Sequence, residues 1–152
     1  MSYTTAEGRE QLLTSIAEAA DRLGVALASL TELYELLDEG SADVLEQSLF
    51  RPVQMAYGRA QRAHAAFAQR HGLAGREFTS AGAPAPALGV SGFLEGAVAA
   101  ISQADGLLAE LQDSMLPVEV GDPQLRAELE QVRVLLGPLA GRARELRRTL
   151  GR

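Results

Sequence analysis

The sequence predicts an all-α protein, a four-helix bundle in up-down-up-down order, and three observations lead there. Apolar residues recur at alternating three- and four-residue spacing along four separate stretches. Capping and breaking residues bound those stretches. No apolar–polar alternation long enough to make a competing strand occurs. At 152 residues the chain suits one domain, 1–152, able to bury a core without staples. Aromatic residues are only 5% and tryptophan is absent, so Leu, Val, Ile and Ala must build that core.

Helix one is expected over about 5–39. "TTAE" supplies the hydroxyl of Thr4 and the carboxylate of Glu7, the spacing of a capping box. The seam is Leu12, Ile16, Ala19, Leu23, Ala26, Leu30, Leu33 and Leu37. A second column, Leu13, Ala20, Leu27 and Tyr34, widens this face or packs against a second copy. Gly40 in "DEGS" offers a left-handed stop. Helix two, about 42–71, carries Leu49, Val53, Ala56, Ala60, Ala63 and Phe67. Pro52 lies inside it and predicts a kink, because its ring lacks an N–H and crowds the preceding turn.

The loop 72–91 is rich in Gly, Ala and Pro and is long for a bundle connection, long enough to cross one end of the molecule. Ser91 is the expected cap of helix three, about 92–116, with Leu94, Ala97, Ile101, Ala104, Leu108, Leu111 and Met115 on its seam and Pro117 as its stop. Helix four, about 123–150, opens at Asp122-Pro123, a cap followed by a first-turn proline whose missing N–H costs nothing. Its seam is Leu125, Leu129, Val132, Leu136, Leu139, Ala143, Leu146 and Leu150, with a second kink expected at Pro138.

Charge is distributed in blocks. Residues 1–46 hold ten acids and two arginines, residues 47–76 five arginines and no acid. Residues 77–130 hold nine acids and one arginine, residues 131–152 six arginines and one acid. In an alternating bundle each acidic helix lies beside a basic one, with Arg59 and Arg62 level with Glu18 and Asp21, and Arg70 near Glu7 and Glu10. Helices two and four would then point the same way. Arg70, Arg76, Arg142, Arg144, Arg147, Arg148 and Arg152 would gather at a basic pole, a candidate anion or partner contact. The acids from Glu35 to Glu46, with Asp113, Glu119, Asp122, Glu128 and Glu130, would form the opposite pole. Glu35 and its neighbours oppose the dipole of their own helix, so helix stability does not account for them.

Few residues suggest catalysis. The absence of cysteine excludes disulfides, thiolate metal sites and cysteine nucleophiles. His64 and His71 are two turns apart, too far for joint direct ligation of one metal, and no Glu-x-x-His motif accompanies them. Arg59 and His64 stand as a candidate catalytic pair, the histidine as acid or base and the arginine holding a phosphate. The arginines are not interleaved with aromatics, which weighs against stacking on single strands. No Gly-rich phosphate loop follows a strand, and the longest uncharged stretch, Phe78 to Leu94, is broken by prolines and cannot span a membrane. Neither a basic n-region nor an apolar h-region opens the chain, so no secretory leader is expected.

The reading is a non-enzymatic, cytoplasmic adaptor or scaffold, acting through a protein partner or self-association, without cofactor or metal. The alternatives are a polyanion or nucleic-acid binder using the arginine-rich pole, and a metal- or histidine-dependent bundle enzyme centred on His64.

Overall fold

A computed structural model of the chain describes residues 2–79, 81–82, 84–85 and 88–150, with side chains from Thr5 onward. The regular secondary structure of the described residues is all helix, without a strand. Helix α1 spans Ser2–Leu36, and α2 spans Glu39–Leu45. A π-helical turn at Glu46–Phe50 leads into α3, Arg51–Arg70. Then come α4 (Gly89–Asp113), α5 (Leu116–Val120), α6 (Pro123–Leu136) and α7 (Leu139–Leu150). Among the described residues five helices have twelve residues or more, against the four expected.

The seams are where the periodicity puts them. From Leu12 to Leu33 every seam residue of α1 is buried, as are Leu49 to Phe67 on the second stretch. Leu125 to Leu146 are buried across α6 and α7, because the three-residue step from Leu136 to Leu139 keeps both helices in phase. Leu37, beyond the end of α1, and Leu150, the last residue of α7, are only partly buried, and Met115 is half exposed with a left-handed backbone (φ 63°). This residue, rather than Pro117, ends the run of α4. Pro117 instead opens the short α5.

Other boundaries also differ from expectation. Helix α1 stops at Leu36, and Asp38 caps α2 by accepting the Ser41 N–H at 2.8 Å. Gly40 is therefore a helical residue inside α2, not a left-handed stop. Ser91 lies within α4, which begins at Gly89. The backbone of α1 already begins at Ser2, so Thr4 is inside the helix, and its side chain falls outside the described residues. Asp122 does cap its helix, accepting the Leu125 N–H at 2.8 Å.

At Pro52 the chain remains helical but widens. The Arg51 N–H reaches back five residues to the Glu46 carbonyl. Proline has no N–H for the Ser48 carbonyl four residues earlier, and the wider turn relieves its ring. That carbonyl instead accepts Arg142 Nη1 of α7, at 3.3 Å. Arg142→Ala should therefore cost about 0.5–1 kcal/mol. In a Pro52→Ala background, where Ser48 regains a helical donor, the same change should cost almost nothing. A double-mutant cycle from urea unfolding checks this. At Pro138 the fourth stretch divides into α6 and α7, with the last helical bond of α6 running from the Gly137 N–H to the Arg133 carbonyl.

Helix directions correct the expected topology. Helix α1 packs against α4 and α3 and is antiparallel to both. Along α3, Tyr57 lies by Gly24 and His71 by Ala6, whereas Gly96 near the start of α4 lies by Ser29. Arg59 donates to Gln131 at 2.5 Å and Arg70 to Asp122 at 2.9 Å, so α3 and α6 are antiparallel. Arg133 reaches Asp105 and Arg147 reaches Glu95, so α4 is antiparallel to α6 and α7. The order is up-down-down-up, and the second and fourth stretches point opposite ways.

The long connection makes this order physically accessible. Two consecutive parallel helices require the chain to return the full length of α3, about 30 Å at 1.5 Å per residue. The eighteen residues between Arg70 and Gly89 can span about 60 Å when extended. The described part of this strap follows the junction of α1 and α3. Leu73 lies near Glu7 and Glu10, Arg76 holds Asp21, and Ala81 reaches Gly24 and Tyr57.

Candidate functional site

His64 lies on the buried side of α3, only 3% exposed. The ring of Phe78, from the strap, meets it edge-on at 5.2 Å. Arg76 stacks on Phe78 in turn: its guanidinium lies 4.3 Å from the Phe78 centroid and its two terminal nitrogens hold Asp21 at 2.7 and 3.0 Å. Burial, reinforced by the positive charge of Arg76, lowers the pKa of His64 and favours the neutral ring, opposed in part by Asp21. Its Nδ1 is buried with no hydrogen-bond partner. No carboxylate bonds to it, so nothing orients the ring as a general base. Arg59, the other member of the expected pair, turns to α6 and bonds Gln131.

The most densely bonded ionisable cluster lies at the other end of α3. Asp122, with a side chain 5% exposed, accepts from four donors. Arg70 approaches in a fork, Nε to Oδ2 at 3.1 Å and Nη2 to Oδ1 at 2.9 Å. The His71 Nε2–H donates to Oδ2 at 2.7 Å, and the Leu125 N–H donates to Oδ1. Arg70 Nη1 also lies 3.8 Å from Glu128. Desolvation raises the pKa of Asp122, but His71, the Leu125 amide and Arg70 outweigh it and leave the group below its ordinary value.

This arrangement joins the C-terminus of α3 to the N-terminus of α6. It also places the positive charge of Arg70 at the negative end of its own helix dipole. Chemically it contains an imidazole held by a carboxylate, half of a general-base arrangement. The adjoining cavity, about 510 Å³, is lined by Ala6, Glu7, Arg9, Glu10, His71 and Leu73. None of these residues supplies a hydroxyl or thiol nucleophile. Among the described residues no three His, Asp or Glu side chains gather where they could hold a metal.

The expected basic pole is not formed, since α3 and α7 end at opposite ends of the molecule. Arg70 is neutralised by Asp122 and Glu128 rather than by Glu7 and Glu10. Arg76 pairs with Asp21 halfway along α1. Arg142, Arg144, Arg147 and Arg148 lie together on α7, beside α2 and the start of α4. Arg147 pairs with Glu95 at 2.9 Å, Arg148 pairs with Glu145, and Arg142 takes the Ser48 carbonyl. Arg152 lies outside the described residues. The acids divide similarly: Asp122 and Glu128 accompany Arg70, while Glu35 to Glu46 share the end occupied by the α7 arginines.

Between α4 and α7 runs an apolar groove of about 250 Å³. Leu94 and Ala143 are buried at its base, and Val98, Ala99 and Ala140 line it further out. Glu95, Arg144 and Arg147 form its charged edges. Of the second column on α1, Leu13 and Ala20 are buried within the chain, Leu27 is half-buried, and Tyr34 is exposed.

The Asp122 cluster was missed in the sequence because its members are 51 and 52 residues apart and meet only if α3 and α6 are antiparallel. The one visible signal was Asp122-Pro123 itself, which marked the carboxylate as a cap. Fold and site together define an all-helical protein whose most densely bonded ionisable cluster, at Asp122, ties one helix to another. No family model matches the chain, and neither a curated protein nor a solved structure matches it. Among the described residues no helix is long and apolar enough to cross a membrane.

Proposed function

We infer that this protein is a non-enzymatic adaptor or scaffold of the cytoplasm, working through protein–protein contact. In this reading α2–α3 and α6–α7 each act as one rod, bent at Pro52 and Pro138, and with α1 and α4 they make a four-rod bundle. One observation carries the reading. The Asp122 cluster is engaged internally, whereas the α4–α7 groove leaves apolar side chains open between charged edges. A helix-lined apolar groove with charges along its rim suits an amphipathic helix, which contributes apolar side chains to the floor and charges to the edges.

The test is affinity capture by the immobilised chain, with Val98→Asp alongside. Val98 is only half-buried, so the substitution charges the groove with limited cost to the core. Capture of a defined protein, or of the chain itself, that is lost in Val98→Asp is the expected result. Equal capture by both forms would reject the groove as the working surface. Salt-sensitive retention of a nucleic acid, lost on removing the α7 arginines, would favour the polyanion reading instead.

A further inference from the structure

We propose that the α4–α7 groove is occupied by the α2 corner of a second copy of this chain, in a reciprocal two-fold dimer. The proposal rests on the interaction reading above and names the partner. Its argument starts from two surfaces that a single chain leaves open. One is the groove, apolar at Val98 and Ala140 and edged by Glu95, Arg144 and Arg147, of which Arg147 is paired with Glu95. The other is the corner between α1 and α2, where Leu36 and Val44 are each more than half exposed. Glu35, Asp38, Glu39 and Asp43, all exposed, flank those two apolar residues along the chain.

The two surfaces are complementary in both respects. Aliphatic side chains on the corner face an aliphatic floor, and an acidic margin faces an edge whose uncompensated charge is that of Arg144. Glu35 and Asp43 form no ion pair among the described residues, and neither does Arg144. Glu35 stands in the last turn of α1, where the helix dipole disfavours a negative charge. An arginine edge on a neighbouring molecule supplies the compensation that its own helix denies it.

Geometry also permits reciprocity. Helix α2 contacts α7 within one chain, so corner and groove lie at the same end of the molecule. A two-fold axis passing near α7 can therefore place each corner in the other copy's groove, the closed arrangement that a self-complementary patch produces. Closure uses both surfaces and leaves neither free to propagate a filament. The net charge of −6 repels at long range, while the local complement attracts once the margins meet, so orientation is selected along with affinity.

Sedimentation velocity on the full chain, up to ~100 µM and at low and high salt, tests this. A monomer–dimer equilibrium that weakens with salt is expected. Arg144→Glu with Arg147→Glu, and separately Glu35→Arg with Asp43→Arg, should each weaken the dimer at least about tenfold. Mixing the two swapped chains should restore a heterodimer, because each groove again meets a corner of opposite charge. Circular dichroism checks folding of each variant, and the exposed Val44→Asp provides an independent disruption that leaves the arginines intact.

A chain that remains monomeric throughout would overturn the proposal. So would a dimer indifferent to both swaps, or one that the mixture does not restore. A monomer that still captures another protein through Val98 leaves the adaptor reading standing while removing this dimer, so the two failures are distinguishable.

Discussion

Asp122→Ala should be among the most destabilising single substitutions in this protein, costing about 3–5 kcal/mol. It leaves Arg70 without its forked partner, His71 without an acceptor, and the first turn of α6 without a cap, the last alone worth about 1 kcal/mol. For a chain of this size each kcal/mol lowers Tm by about 2–4 °C, so a fall of about 6–20 °C is expected in a calorimetric scan. Asp122→Asn retains a capping oxygen but loses the charge, and should lose less. If both variants unfold within about 2 °C of the parent, the cluster is not the clamp described here.

The same residue gives stability a pH dependence. Its folded pKa lies below the unfolded value of about 3.9, so its contribution is complete above that value and is lost as pH falls through the folded one. His64 acts earlier in an acid titration. Its folded pKa is lowered, so the unfolded chain binds the extra proton first and stability begins to fall below about pH 6.5, levelling at the folded value. Two separate losses on acidification are therefore expected. His64→Gln should remove the upper one and Asp122→Asn the lower one, measured as urea midpoints against pH.

Phe67→Ala is the second large effect, again about 3–5 kcal/mol. Phe67 is a fully buried aromatic on α3, and its ring lies 4.5 Å from that of His71. Truncation combines the lost transfer energy with a cavity that neighbouring helices cannot close without leaving their seams. Phe67→Leu refills most of the space and should cost less than half as much. The loss on truncation is a large part of a typical total of about 5–15 kcal/mol, so the unfolding curve of the alanine variant should be recorded at low temperature. A loss below about 1 kcal/mol would mean that the interior relaxes around this site.

The buried seam residues were legible from spacing alone. A helix needs an apolar stripe on its inner face, and that requirement is satisfied by residues close together in sequence. Asp122-Pro123 was legible for the same reason, since a cap and the turn it serves are neighbours. The π-helical turn was visible only as trouble at Pro52. The Arg142 guanidinium that takes up the Ser48 carbonyl joins residues 94 positions apart. His64 drew attention as a titratable group, but its neighbours Phe78 and Arg76 come from a strap whose route has no periodic signal.

Local order was thus determined by the sequence itself: the apolar stripes, their phase across Pro138, and the cap of α6. Helix direction was decided only in the tertiary structure. An apolar stripe buries nearly as well against a parallel neighbour as against an antiparallel one, so periodicity carries little information about polarity. The return of the strap along α1 and α3, together with the forked Arg70–Asp122 contact, selects the up-down-down-up order. That order puts charges of both signs at each end of the molecule, where the alternating order would have separated them into poles.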